Sequence, residues 1–480
     1  MFWSAETPSG VDRQKQKGAR VAQADTPAPQ GETVYAASTG MGRAALAVIR
    51  LTGPASDAVL QALMGDGQAL PQPRMAAVRQ LRHPHSGAVL DAAMVLRFVA
   101  PHSYTGENMV ELHVHGGAAV IASVMAALSD VARHIDSALG AVRPAEAGAF
   151  TRRAVLNGKM DLTQAEAVAD LIDAEGGAQQ NQALRQMQGG LRLQMEGWRE
   201  QLKSMLAHIE ADIEFADEDL PGGVGQAALQ QLDALRNGLA GQCDDRGGIV
   251  LRDGLRIALL GPPNAGKSSI LNMLAGREAA IVSARAGTTR DVIEVAMQIG
   301  GVPVTLVDTA GLRAAGDDIE REGVRRAGQQ AAEAHIRLLV ISPDTVSADM
   351  LAAGDAALSD VLKNPDLTIC NKADLGAIDG IEGVSVSATQ KQGAEALVAA
   401  LQGLVANLVG QNEVPRITRE RHRAVLSETL THLDRAAQAD ALELAAEDLR
   451  LAQRSLGRLT GAVDVEQLLD IVFADFCIGK

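Results

Sequence analysis

Residues 261–268 read GPPNAGKS, a complete G-x-x-x-x-G-K-[ST] loop. An apolar run, LRIALL at 255–260, enters it, and a run with helical character, 269–274, leaves it. In that strand–loop–helix setting, backbone N–H groups can cradle phosphates, Lys267 can reach the terminal phosphates, and the Ser268 hydroxyl can ligate magnesium. Three more motifs follow in order. GTTRD at 287–291 offers Thr289 to complete a magnesium shell. DTAG at 308–311 follows the apolar run 304–307; Asp308 suits the metal side, and Gly311 can turn its N–H to the terminal phosphate. NKAD at 371–374 follows another strand-like run, 367–370. There Asp374 can accept hydrogen bonds from the N1–H and exocyclic amine of guanine, a donor pair that adenine lacks. Ser387 and Ala388 end a short strand where a last base-contacting loop belongs. A phosphate loop alone fits an ATPase or chance; the four ordered motifs point to a GTP site.

The hydrolytic step poses a problem. Many small GTPases carry glutamine after the DTAG glycine to orient water, but here that position is Leu312, which cannot hydrogen-bond a nucleophile. Arg313, Asp317, Asp318, Glu320 and Glu322 lie just downstream; a charged stretch of this kind is also an ordinary solvated surface. Positive charge for the transition state can come from an arginine finger or from a monovalent cation. The side-chain carbonyl of Asn264 could help hold such a cation, with backbone oxygens from the segment before Gly287. The alternative for Asn264 is a loop-stabilising Asx hydrogen bond.

The elements that must position these loops emerge from pattern. The chain has 480 residues, enough for about three domains. With 47% hydrophobic but only 2% aromatic residues, its cores must be built from Leu, Val, Ile and Ala. Strand-like runs at 33–37, 45–51, 93–98 and 109–115, with a helix-like run at 120–128, predict an N-terminal α+β domain over 32–156. Thr163 and Glu166 read as a T-x-x-E capping box opening a long helical stretch, 157–253. An α/β P-loop GTPase domain spans 254–409, and helices resume over 410–480, with Asp464 as cap of the last one. The simplest arrangement is a discontinuous helical domain with the GTPase inserted; two independent helical regions are the alternative. Residues 1–31 hold no apolar h-region and read as a disordered tail or an upstream start.

Net charge is −15, which argues against a broadly basic nucleic-acid surface without excluding a local patch. Cys243, Cys370 and Cys477 are too scattered for metal-ligand spacing and fit a reducing, cytoplasmic setting. No run of about 18 apolar residues marks a membrane span. His113 and His115 share one face of a predicted strand, but the glycines after His115 fit a tight turn better than a metal site.

The whole pattern resembles the MnmE (TrmE) family of tRNA uridine-5-carboxymethylaminomethyl modification GTPases. The resemblance rests on GPPNAGKSSILN, GREAAIVS, AGTTRDV, DTAGLR and NKAD, on the HGG at 115–117, on NGKMDLTQAEAVADLI from Asn157, and on the terminal FCIGK. It covers about 33–480, while Ala44 and Ala45 stand where the family is richer in glycine. It implies a potassium-activated GTPase working as a homodimer with an FAD-dependent partner of the MnmG type. Together they would install an aminomethyl or carboxymethylaminomethyl group at carbon 5 of the wobble uridine of certain tRNAs. A 5-formyltetrahydrofolate or related one-carbon folate would supply the carbon.

Carried over by residue, the resemblance implies GTP contacts from Asn264, Ala265, Gly266, Lys267, Ser268, Ser269, Ser283, Ala284, Arg285, Ala286, Gly287, Thr288, Thr289, Asp308, Thr309, Ala310, Gly311, Asn371, Lys372, Asp374, Ser387 and Ala388. Potassium would use Asn264, Ser283, the Arg285 backbone oxygen and Thr288; magnesium would use Ser268 and Thr289. Glu320 would be the acid that orients water. The folate pocket would draw on Arg50, Glu111, Lys159 and Lys480, the cations suiting folate carboxylates and Glu111 suiting pterin N–H donors. Cys477 offers a thiol that could act catalytically; the alternative is a small buried residue that places the chain end near the folate. The competing functions are a ribosome-assembly or RNA-binding GTPase, which would need a basic domain that the chain does not obviously carry, and a dimerisation switch without one-carbon chemistry, against which Arg50, Glu111, Lys159 and Lys480 argue.

Overall fold

In a computed structural model the described residues are 31–40, 42–214, 224–276, 293–308, 328–345, 364–378, 380–410, 415–463, 469–470, 472–473 and 476–479. They fall into two units, one of residues 1–159 with 477–480 and one of residues 160–476. The terminal residues 477–480, expected with the helices, therefore cluster with the N-terminal unit. Among the described residues, no helix is long and apolar enough to cross a membrane.

The N-terminal unit is built on alternating strands: β1 (Thr33–Ala37), β2 (Leu46–Thr52), β3 (Ala77–Arg82), β4 (Val89–Phe98), β5 (Met109–His115) and β6 (Val142–Pro144). They form a sheet in the order β3-β4-β5-β2-β1-β6, with only β1 and β6 parallel. Sequence pattern missed β3 and β6, the start of β4, and the helices α1 (Ser56–Met64) and α3 (Ala149–Leu156). β3 fails to read as a strand because as an edge strand it buries only Leu81. Helix α2 (Ala118–His134) and α1 cover one face, enclosing Ile49, Leu51, Leu60, Leu112, Val114 and Leu128. The chain end is woven in: Ile478 bridges Ala147, and Ser38 Oγ donates to Gly479 O at 2.8 Å. Gly479 has φ +95°, and a Cβ there would lie 2.5 Å from Ala37 O, so the end passes where a side chain does not fit.

The second unit opens with α4 (Leu162–Asp173). Its cap is not the expected Thr163–Glu166 box. Asp161 accepts from the N–H groups of Thr163 and Gln164, and the Gln164 side chain accepts from Asp161 N. Such a cap contributes about 1 kcal/mol, and it releases Glu166 for burial. Next come α5 (Gly177–Met187), α6 (Gly190–Glu214), α7 (Val224–Asp244) and α8 (Gly247–Asp253). A second sheet follows, of β7 (Leu255–Leu260), β8 (Ile293–Ile299), β9 (Val302–Asp308), β10 (Ile336–Ile341), β11 (Leu367–Cys370) and β12 (Val384–Ser385). Its order is β12-β11-β10-β7-β9-β8, all parallel except the β8–β9 hairpin. Helices α9 (Lys267–Ala275) and α10 (Ala394–Val409) bury Ile270, Leu274, Leu397 and Leu401 against it. Last are α11 (Glu420–Gln438) and α12 (Leu442–Thr460), whose Leu426, Leu433, Leu449 and Leu456 share one core with Leu191, Leu202, Leu232 and Leu239 of α6 and α7. The expected cap at Asp464 lies outside the described residues.

Candidate functional site

In a parallel sheet, ligands bind beyond the carboxyl ends of the strands. The polar loops of the second unit gather there. β7 runs into the phosphate loop, β9 ends on Asp308, β11 leads to Asn371, and the loop after β12 carries Ser387. Two glycines make the close packing possible. A Cβ on Gly261 (φ +139°) would fall 2.0 Å from Val340 O, and one on Gly266 (φ +91°) would fall 2.1 Å from Asn371 Nδ2.

Lys267 is 5% exposed. Its ammonium donates to Gly261 O at 2.7 Å and Pro262 O at 2.9 Å, so it curls back over its own loop. Burial pushes it below the ordinary lysine range, and the charge of Asp308 opposes that shift. Ser268 Oγ donates to Asp308 Oδ2 at 2.5 Å, which brings together the two motif residues suited to the magnesium side. Ala265 is fully buried, and its carbonyl accepts from Asn371 Nδ2 at 2.8 Å, tying the phosphate loop to the base loop. Asn371 Oδ1 in turn accepts from Ala388 N at 3.2 Å, and Ser387 Oγ donates to Asp374 Oδ1 at 2.5 Å. The Asp374 carboxylate is thus oriented, with lone pairs left for two N–H donors. Ser269 is exposed at the start of α9. Asn264 is exposed with φ +64°, and among the described residues the alternative Asx hydrogen bond of its carboxamide is not seen. Lys372, at φ +56°, pairs with Asp344 at 2.7 Å. Ser283, Ala284, Arg285, Ala286, Gly287, Thr288, Thr289, Thr309, Ala310, Gly311 and Glu320, together with Leu312, Arg313, Asp317, Asp318 and Glu322, lie outside the described residues.

In the N-terminal unit, the register of β2 and β5 sets Arg50 opposite Glu111, and Arg50 Nε donates to Glu111 Oε1 at 2.9 Å. Lys159 Nζ donates to Pro101 O at 3.0 Å. Tyr104, unremarked in the sequence, meets Thr151 Oγ1 at 2.8 Å; burial raises its phenol, and the nearby Arg50 charge opposes the rise. Lys480 lies outside the described residues; its neighbour Gly479 lies against Ala37, whose preceding residue Ala36 faces Arg50 across the β1–β2 ladder. Cys477 is exposed rather than buried, as is its neighbour Ile478, between the buried Phe476 and Gly479. His113 and His115 are spoken for by carboxylates, Glu111 at 3.4 Å and Asp91 at 2.7 Å, and no cluster that could hold a metal exists among the described residues. The HGG glycine Gly116 answers close packing: a Cβ there would sit 2.3 Å from Ala44 O.

Glu166 is 1% exposed. Its oxygens accept from Arg421 at 2.5 and 2.7 Å and lie 2.8 Å from His422 Nε2, with Arg419 3.3 Å away. Burial alone would raise its carboxyl; the surrounding cations and their hydrogen bonds outweigh this and hold it well below the carboxylate range. His422 is pushed below the imidazole range, first by burial and further by Arg421, although Glu166 opposes the shift. Asp170, raised by burial against the pull of Arg419 and Arg252, continues the network to α8. The sequence signal for this cluster was the dense basic run at 419–423 (RERHR) in an acidic chain.

A phosphate loop on β7 and a guanine-type loop on β11, both at the carboxyl edge of a mainly parallel sheet, define a P-loop GTPase fold. The family model "GTP-binding protein TrmE N-terminus" matches residues 33–159, and "MnmE helical domain" matches 162–477. Curated relatives carry the description "tRNA modification GTPase MnmE". That of Paramagnetospirillum magneticum is 49% identical, covering 94% of this chain and 100% of its own length. That of Parvibaculum lavamentivorans is 50% identical with the same coverages, and that of Caulobacter vibrioides is 48% identical, again over 94% and 100%. The chain belongs to the MnmE (TrmE) family.

Proposed function

We propose that this chain is a potassium-activated GTP hydrolase of the cytoplasm. With an FAD-dependent partner of the MnmG type, it installs an aminomethyl or carboxymethylaminomethyl group at carbon 5 of the wobble uridine of certain tRNAs. The observation that carries this reading is end-to-end similarity near 49% identity to tRNA modification GTPases, over 94% of the chain. The oriented Asp374 carboxylate and the paired Ser268 and Asp308 support GTP and magnesium in particular.

The chain's own residues act by positioning. Lys267 leaves its loop carbonyls for the terminal phosphates, and Asp374 reads the guanine edge. Ser268 and Thr289 would hold magnesium, which neutralises phosphate charge. Asn264, Ser283, the Arg285 backbone oxygen and Thr288 would hold potassium, which supplies positive charge to the transition state, while Glu320 orients the water that Leu312 cannot. The carboxamide of Asn264, exposed and without a hydrogen-bond partner among the described residues, fits that duty. Arg50, Glu111, Lys159 and Lys480 would hold the folate; the Arg50–Glu111 pair supplies a cation and an acceptor side by side. We further infer that the GTPase fold is inserted in one helical domain, a reading supported by the core shared across it, and that two copies pair through their G domains in the GTP state.

Mass analysis of wobble nucleosides tests the reading. A strain lacking the gene should lose the carbon-5 group from its tRNAs and regain it with this chain. Unaltered wobble uridines in the deletion strain would refute the proposed activity.

A further inference from the structure

We propose that Asp344 is a positioning residue for guanine recognition, holding the Lys372 ammonium so that the NKAD loop keeps its binding geometry. The inference rests on the guanine reading of that loop. Side chains at three positions of the loop tie it to its surroundings. Asn371 binds the phosphate loop through Ala265 O, and Asp374 binds the loop after β12 through Ser387. The third tie, Lys372 Nζ to Asp344 Oδ2 at 2.7 Å, reaches the turn after β10, and Asp344 belongs to none of the nucleotide motifs.

An exposed ion pair usually contributes little, because two long side chains must be immobilised to make it. Here both ends are already restrained. Ser342 is fully buried; its Oγ donates to Asp344 Oδ1 at 2.7 Å and lies 2.8 Å from Thr345 Oγ1, while Thr345 N closes the turn on Ser342 O at 2.9 Å. The carboxylate is thus aimed before Lys372 arrives. At the other end, Lys372 sits in the left-handed region (φ 56°, ψ 40°), which a non-glycine residue keeps only when its surroundings hold it. Hydrogen bonds from Asn371 N to Ile341 O at 2.8 Å and from Ala373 N to Val386 O at 3.0 Å hold the flanking backbone. The side chain in between is the part left for Asp344 to fix.

The test compares full-length wild type with Asp344→Ala, the near-isosteric Asp344→Asn and the charge-conserving Asp344→Glu. Release of a fluorescent GDP is followed at low and high salt, with steady-state GTPase kinetics on the same samples. Release should be about threefold to tenfold faster in Asp344→Ala and Asp344→Asn, and partly restored in Asp344→Glu. At about 1 M salt, where screening acts over about 3 Å, the gap to wild type should narrow. KM should rise while kcat at saturating GTP stays within about twofold. Unchanged release in both neutral variants would overturn the proposal. Faster release that ignores salt and is not restored by glutamate would also overturn it, because it indicates a loosened turn instead of a lost ion pair. Failure of the guanine reading itself shows separately, as wild type binding fluorescent ADP as tightly as GDP.

Discussion

The phosphate loop and the Arg50–Glu111 cluster obey different rules of construction. The loop occupies eight consecutive positions, 261–268, and much of its polar demand is met within the loop or by the strand ends beside it. Arg50 and Glu111 are 61 positions apart and meet only because β2 and β5 pair in one register. A slip of one residue would turn each to the opposite face of the sheet. A contiguous site tolerates distant change, whereas a site gathered by register depends on every element that sets that register, including the chain end laid along β1. The comparison predicts that the two sites can be broken independently.

The largest effects belong to the nucleotide site. Lys267→Ala should weaken GTP binding and turnover together, and Glu320→Ala should lower kcat by about 10²–10³-fold with affinity retained. In both, calorimetry with a formyl-tetrahydrofolate should match wild type; a lost folate signal would show that the sites are coupled. Removing residues 477–480 should do the reverse, abolishing folate binding and leaving GTPase activity intact. The subtler Gly479→Ala, strained at φ +95° and crowded by Ala37 O, should weaken folate about tenfold. Loss of both activities on truncation would mean that the chain end supports the whole molecule.

Exchange of potassium for sodium at matched ionic strength should slow hydrolysis about tenfold, which corresponds to about 1.4 kcal/mol of transition-state stabilisation. Equal rates in the two salts would remove Asn264 from its proposed duty.

A second long-range cluster is probed through stability instead of activity: in it Glu166 depends on His422, 256 positions away. Glu166→Gln leaves partly buried guanidinium groups without their carboxylate and should destabilise the second unit by about 3 kcal/mol, read by denaturant melts. The pH dependence has a definite sign. The folded His422 titrates below its unfolded value of about 6.5, so its contribution is full above that pH and is lost as pH falls through the lowered folded value. Glu166, also depressed, adds a loss below about pH 4.3. His422→Gln should remove the upper limb of the melting-temperature profile and leave the lower one; a profile identical to wild type would show that the fold does not lower the titration of this imidazole.

The nucleotide motifs, most strands and the long helices were legible in the sequence because each depends on neighbours a few positions away. A glycine that admits a close backbone, a lysine in a loop and an apolar period of two or 3.6 all announce themselves locally. Edge strand β3 escaped because it buries too little to show a period. Thr163–Glu166 misled because a capping-box spacing also occurs inside a helix, where Asp161 had already taken the cap. What only the tertiary structure decided is which distant groups meet: Arg50 with Glu111, Glu166 with Arg421 and His422, Lys372 with Asp344, and Gly479 with β1. Those meetings follow from strand register and helix packing. Both are set by the total burial of apolar surface, and no single stretch of sequence encodes that sum.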